Sequence, residues 1–349
     1  MSKTFAFDGL RKFATTALKT VGVPGQDAAV VADSLLTADS RGTYSHGLMR
    51  LPLYVDAILA GGIQAEPKFT WVVDRGSVAL LDAGAALGQV AMQHAVAYVA
   101  QHVANHGVVA VAVQNSTHFG AGSYWTEALS RQGVRAFLTS STGASVTPFG
   151  GAEKLLGTNP LSISVPSADE GPLTLDIATS RIAYGKIVAA ANAGRPIPEG
   201  MAVDASGEPT TDPHAALEGA LLPFGEHKGS GLAVLLEALS VILGTGSYAR
   251  DAVDIWADPS SRMNTGHLLI AIDAGAFTGA AATADRVAAL QKRVRESNPG
   301  RGAVYSPGDV EAENARRNAH QVPLDDSTVA ALEELGARLS VPMLAATGV

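Results

Sequence analysis

Ser45, His46 and Arg50 bring a hydroxyl, an imidazole and a guanidinium close together in residues 41–54, R-G-T-Y-S-H-G-L-M-R-L-P-L-Y. Arginine can hold a carboxylate through two parallel hydrogen bonds. Histidine titrates near neutrality and can pass a proton. Together they are the groups that reduction of a 2-oxo acid requires. Ser45 is a good N-cap, and a helix begun there would carry His46, Arg50 and Tyr54 on one face. Pro52 disturbs that picture, because proline inside a helix removes a hydrogen bond. Either the helix kinks, or it starts at Pro52 and leaves His46 in a loop. A capped helix start with a solvated His and Arg accounts for the same residues, and spacing alone does not choose between the readings.

A second imidazole, His118, stands in N-S-T-H-F-G-A-G-S-Y-W, directly after the β-branched run of residues 108–113. Loops leaving strand ends are where α/β proteins keep their chemistry. The turn of residues 140–143 after the strand 136–140 offers hydroxyls and amides to a ligand. Asp176, Thr179 and Ser180 precede a predicted helix over 182–193, and free amides at such a start suit an anion; an ordinary capped turn fits equally well. Lys228 stands just before the apolar helix predicted over 232–243, which reads as a buried pillar. A positive charge where the helix dipole is already positive has no structural gain, so an anionic ligand is its natural explanation. His102 and His106 are spaced as a metal pair would be, but no third ligand accompanies them, and a solvated helix face is the better reading. Residues 244–249 match G-x-G-x-x-A as a string. They follow a helix rather than a strand, so no Rossmann fingerprint is assigned.

The elements that must carry these groups follow from periodicity. Helices are expected over 7–21, 26–39, 45–60, 89–105, 124–131, 281–296 and 329–339, with a polar helix after the turn 306–309. Strands are expected over 69–73, 78–82, 161–165, 173–177 and 266–273, and residues 196–213 read as an exposed loop. The chain has 349 residues, a net charge of -8 and 47% hydrophobic residues, with no cysteine. Length allows about two domains. Composition suits a compact α/β enzyme, and the acidic balance argues against nucleic acid. Disulfides and thiolate chemistry are excluded. With neither a signal-type segment nor a run long enough to span a bilayer, a cytoplasmic protein without membrane contact is expected.

The same motifs in the same order resemble a known family. R-G-T-Y-S-H-G-L-M-R-L-P-L-Y, N-S-T-H-F-G, G-T-N-P, L-D-I-A-T-S, F-G-E-H-K-G-S-G-L-A and S-P-G-D are similar to the type-2 malate/L-lactate dehydrogenases. That family also holds ureidoglycolate, sulfolactate and diketogulonate dehydrogenases. The F-x-E-H-K-G form and V-P-L-D lean toward its hydroxycarboxylate dehydrogenase branch. The resemblance implies a non-Rossmann α/β fold: a large, mostly antiparallel mixed sheet flanked by helices, plus a helical part from both chain ends. It implies a helical substrate and dimerisation part over 1–75 and 280–349, an NAD(P)-binding sheet domain over 76–279, and a homodimer. The implied activity interconverts a 2-hydroxy acid and a 2-oxo acid with NAD or NADP. His46 would be the proton donor with Ser45 as its partner, and His118 would orient substrate and nicotinamide. Arg50 and Thr158 would bind substrate. His118, Phe119, Gly120, Ala121, Gly122, Ser140, Thr174, Leu175, Asp176, Lys186, His227, Lys228, Gly229, Pro307, Gly308 and Asp309 would line the cofactor site, with no metal. Lys186 stands where the family's cyclic-imine reductases carry an Asp, which weakens that alternative. Ser230 replaces the usual aromatic after K-G, and Asp309 replaces a common Glu. A metal hydrolase using His46, His118 and Asp176 is the alternative from another class.

Overall fold

The computed structural model describes residues 3–343 and 345–346. The chain begins with strand β1 (Lys3–Ala6) and the helices α1 (Phe7–Thr20), α2 (Gly25–Ser40) and α3 (Leu51–Leu59). Then come β2 (Thr70–Asp74), β3 (Val78–Asp82), α4 (Gly88–His106), β4 (Val108–Ser116), α5 (Gly122–Ser130) and β5 (Val134–Ser140). Next are β6 (Leu161–Val165), β7 (Leu173–Ile177), α6 (Tyr184–Asn192), β8 (Ala202–Val203), β9 (Pro209–Thr210), α7 (Pro213–Glu218), β10 (Ala220–Leu221) and α8 (His227–Val241). The last elements are β11 (Thr265–Asp273), α9 (Gly275–Thr278), α10 (Ala280–Arg295), α11 (Asp309–Arg317), β12 (Gln321–Leu324) and α12 (Asp326–Leu339).

The main sheet has seven strands in the order β2-β3-β4-β11-β5-β6-β7. β3 and β4 run parallel, and the other neighbours run antiparallel. β11 enters the centre from far down the chain, so the strand carrying His267 lies between the ends of β4 and β5. α4 and α5 bury Met92, Val99, Trp125 and Leu129 on Val109, Val111, Leu138 and Leu269 of the sheet. These strands read as near-continuous apolar runs because they are covered.

The two chain ends share another core. β1 pairs antiparallel with β12, and Leu10, Phe13 and Leu35 pack with Val322, Leu332 and Leu335. Leu48, Leu51 and Tyr54 sink into this same core and are fully buried. A third, smaller core gathers Val146, Ile187, Ile197 and Leu221 around the β10-β8-β9 sheet. Residues 196–213 therefore do not form the expected exposed loop. They are pinned by β8 and β9, with Ile197 and Ala202 buried.

Two further expectations change. α8 begins at His227 rather than near residue 232, so Lys228 lies inside its first turn. Nor is α8 a buried pillar: Val234, Leu235 and Leu239 are exposed along it, and Ile242 beyond it is 71% exposed. Its other face, with Ala233, Leu236 and Ser240, packs against β5 and β11. Residues 244–249 run from the end of α8 toward a short 3₁₀ turn, without the strand–turn–helix context a dinucleotide fingerprint needs. Among the described residues no helix is long and apolar enough to cross a membrane.

Candidate active site

His46 and Arg50 are presented by two successive 3₁₀ turns, Tyr44–His46 and Leu48–Arg50, and not by one continuous helix. Gly47 between them is extended, with φ -90 and ψ -157. The α-helix starts only at Leu51, which puts Pro52 in its first turn. There the missing N–H costs nothing, because first-turn amides have no helical acceptor. Gly47 is required by space: a Cβ would lie 1.8 Å from Asp39 Oδ1. Asp39, buried at the end of α2, accepts from the Leu48 amide at 2.8 Å. The turns are thus pinned from below by one carboxyl and by the apolar side chains of Leu48 and Leu51.

On this base the polar groups are held in fixed relations. Ser45 Oγ lies 2.8 Å from His46 Nδ1. Arg50 Nε donates to the Ser45 carbonyl at 2.7 Å, leaving the two terminal nitrogens for a ligand. Tyr54, one helical turn on from Arg50, has its hydroxyl 2.6 Å from His118 Nδ1. Gln89 Nε2 donates to that same oxygen at 3.1 Å. Tyr54 thus links Gln89 to His118 through one hydroxyl, which fixes the imidazole's position. The His46 and His118 rings stand 5.3 Å apart. Trp256, from the loop before β11, faces both Arg50 and His118.

This environment disfavours extra positive charge. His46 is held down to about 4, first by desolvation and then by Arg50, although the residue is only half-buried. His118 falls well below its usual value through desolvation, with His46, Arg50 and His267 adding. Burial pushes Tyr54 up to about 12, opposed by Arg50. Both imidazoles are therefore neutral at neutral pH, and Tyr54 keeps its proton. Behind them His267 is fully buried, with Ser140 Oγ at 2.8 Å from Nδ1 and Ser116 Oγ at 2.9 Å from Nε2. Burial lowers it to about 3.

The sequence profile of malate/L-lactate dehydrogenase matches residues 5–333. The chain belongs to the malate/L-lactate dehydrogenase family. It is 37% identical over 326 residues to the L-sulfolactate dehydrogenase of Methanocaldococcus jannaschii, covering 93% of this chain and 94% of that one. It is 35% identical to the Delta(1)-pyrroline-2-carboxylate/Delta(1)-piperideine-2-carboxylate reductase of Pseudomonas putida, covering 81% and 82%. The solved sulfolactate dehydrogenase from Methanocaldococcus jannaschii superposes with a TM-score of 0.91 at 35% identity, covering 98% of each chain.

In this member of the malate/L-lactate dehydrogenase family the remaining expected residues fall on a second set of loops. His118 to Gly122 lead into α5, and the Phe119 carbonyl accepts from Trp125 Nε1 at 3.0 Å. Gly122 has no room for a side chain, since a Cβ would come 2.8 Å from Ser162 Cβ. Asp176 Oδ2 takes the Ser123 amide at 2.7 Å, at the start of α5. Thr174 is buried, its hydroxyl 2.9 Å from Ser164 Oγ; Leu175 is 36% exposed. The Thr174 amide donates to the Pro307 carbonyl at 3.3 Å, and Gly308, at φ +93, brings that turn against the strand. The Asp309 carboxylate is already engaged. Arg295 Nε donates to its Oδ2 at 2.8 Å and Nη2 to its Oδ1 at 2.6 Å, so it braces its own turn. Ser140 Oγ is likewise taken by His267. Thr158 lies at a separate junction, its carbonyl accepting from the Thr179 amide at 2.9 Å and its hydroxyl 3.4 Å from Thr142 Oγ1.

Lys186 and Lys228 sit in the first turns of α6 and α8, both exposed, and no carboxylate pairs with either among the described residues. His227 is exposed next to Lys228, its ring near Phe149. Gly229 is dictated by contact: a Cβ would fall 1.9 Å from the Phe224 carbonyl oxygen. Unpaired lysines at helix starts, with glycines that let the backbone come close, suit a phosphate-bearing dinucleotide. No group of three or more His, Cys, Asp or Glu is placed to hold a metal ion among the described residues. Asp39, Gln89, Trp256 and His267 escaped the sequence reading. His267 carried a signal, an imidazole inside an otherwise apolar strand. The others reach the site by direct contacts between separate segments of the chain, which no local pattern announces.

Proposed function

We propose that this chain interconverts a 2-oxo acid and a 2-hydroxy acid, with His46 as the proton donor and Arg50 as the carboxylate anchor. Family membership makes it an NAD(P)-dependent 2-hydroxycarboxylate dehydrogenase. The observation that carries the assignment of roles is the convergence of Arg50's unspent guanidinium edge with two neutral imidazoles 5.3 Å apart. The nicotinamide, when bound, supplies or accepts the hydride. Arg50 holds the carboxylate and so fixes C2 and its oxygen against the imidazoles. A bound carboxylate offsets the charge that holds His46 down, so the ring becomes easier to protonate once substrate is in place. His46 then protonates the developing alkoxide through Nε2, Nδ1 being held by Ser45. His118, its Nδ1 held by the Tyr54 hydroxyl, orients the substrate against the nicotinamide. Lys186 and Lys228 would meet the anionic part of NAD or NADP, and Thr158 would face the substrate.

We further infer a cytoplasmic homodimer. The helical part formed by the chain ends, 1–75 and 280–349, would carry the substrate half and the dimer contact, with the cofactor on 76–279. A screen of NADH and NADPH oxidation over a panel of 2-oxo acids, with piperideine-2-carboxylate beside pyruvate and oxaloacetate, tests the reading. Reduction of at least one oxo acid is expected. Turnover of the cyclic imine alone would transfer the assignment to imine reduction, which the Pseudomonas putida relative keeps in view and Lys186 in place of an acid disfavours.

A further inference from the structure

Residues 252–264, between α8 and β11, form a loop whose one aromatic side chain touches both groups given to the substrate. Arg50 Cζ lies over the Trp256 ring, 5.0 Å from its centroid. The same ring meets His118 edge-on, at 5.4 Å and 88°. Trp256 is 40% exposed, so part of the indole is open to whatever enters the site. The loop is held elsewhere. Ile255 is fully buried in the helical core. Asp254 Oδ1 accepts the amides of Trp256 at 3.0 Å and Ala257 at 2.9 Å. Its other oxygen packs on Gly143, where a Cβ would come within 2.8 Å. The indole is thus mounted on a fixed turn between the helical core and the turn after β5.

We propose that Trp256 is a positioning residue for Arg50. A guanidinium has five donors in one plane and two faces that hydrate weakly. Nε is spent on the Ser45 carbonyl, and Cζ sits over the face of the Trp256 ring at 5.0 Å. What remains is the terminal Nη edge, restrained by the Ser45 carbonyl at Nε and by the indole against Cζ. A carboxylate arriving there meets a donor pair that does not have to be ordered or fully desolvated on binding. Because the indole also abuts His118, the plate fixes the anchor relative to the imidazole. Its effect belongs to substrate affinity, since it carries no group that exchanges a proton or a hydride.

This inference rests on the reading of Arg50 as carboxylate anchor, so the test includes an arm that needs no turnover. Oxamate, an unreactive mimic of a 2-oxo acid, is titrated calorimetrically into the full-length protein with NADH present. In parallel the kinetics of the best 2-oxo acid are followed. Trp256→Ala is expected to weaken oxamate and raise KM by about tenfold, the size of a partly desolvated cation–π contact. kcat and the Kd for NADH should stay within about twofold. Trp256→Phe, which restores a ring face, should recover most of the loss. Asp254→Ala, which loosens the turn but leaves the indole, should fall between the two. Unchanged oxamate binding in Trp256→Ala overturns the proposal. So does a joint fall of kcat and NADH affinity, which marks a merely structural role. If the wild type turns over no 2-oxo acid, yet oxamate binds and is weakened in Trp256→Ala, the positioning role stands and the hydride-transfer reading fails.

Discussion

The two halves of the site are built on opposite lines. Around His46 the polar groups are held by one another: Ser45 on His46, the Ser45 carbonyl on Arg50, Tyr54 on His118, Gln89 on Tyr54. Tyr54 and Leu51 beneath them are fully buried. Around α6 and α8 the groups face outward, with Lys186 and Lys228 exposed and the backbone shaped by Gly229 and Gly308. One half is a preorganised polar cluster in which small displacements matter to chemistry. The other, on the proposed reading, is an open cradle whose lysines would find their partners on the cofactor. Mutations in the first half should therefore move kcat, and mutations in the second should move cofactor affinity.

The sharpest break of this contrast is His46→Ala. General acid help contributes about 10²–10⁴ in rate, and a loss of kcat in that range is expected, with NADH binding retained by fluorescence titration. Turnover near that of the wild type would pass the proton to His118, whose ring stands 5.3 Å from that of His46. NADH affinity lost along with turnover would show that the halves are not separable.

The part of this contrast that was legible in the sequence follows from how each feature is encoded. Helix and strand positions are local periodicities, and β3, β6 and β7 fall where their apolar runs predict. His46, Arg50 and His118 were legible because their side chains are chemical and their neighbours form family motifs. Of the two readings of residues 45–54, the structure takes the later helix start, at Leu51, because contact between Gly47 and Asp39 enforces two short turns ahead of it. α8 was taken for a pillar because a run of leucines has no local sign of which face is covered. Gln89, Trp256 and His267 reach the site from α4, the loop before β11 and β11 itself, and no spacing in the chain announces those meetings.

The open half is sharpened by Lys228→Ala. An exposed charge-assisted contact is screened by solvent, so the Kd for NADH should rise only about three- to tenfold. That difference should shrink with added salt, as the lysine's contribution is screened. kcat at saturating cofactor should be little changed. A selective fall in kcat, with Kd unmoved, would place Lys228 with the chemical half and undo the division. Lys186→Ala, by the same argument, should be additive with it if the two helix starts act independently.

The smallest expected effect concerns the support under the chemical half. Burial raises Asp39 to about 8, with Asp325 adding and the Leu48 amide opposing. In the unfolded chain this carboxyl loses its proton near 3.8, whereas in the folded protein it keeps it to about 8. Between those values the folded state binds the extra proton, so this group's contribution to stability falls as pH rises, and the loss is complete above the folded value. His46 acts in the opposite sense. Its folded value of about 4 lies below the usual 6.5, so its contribution is unfavourable at low pH and that penalty is relieved as pH rises. The two are separated by Asp39→Asn, which keeps an oxygen for the Leu48 amide and cannot ionise. Between about pH 5 and about pH 8.5 the wild type should lose more Tm than Asp39→Asn, by about 2 °C or more. His46 contributes equally to both proteins and cancels. Parallel Tm curves would mean that Asp39 ionises freely in the folded state. The carboxyl beneath the 3₁₀ turns would then be solvated, and the chemical half less closed than its hydrogen bonds imply.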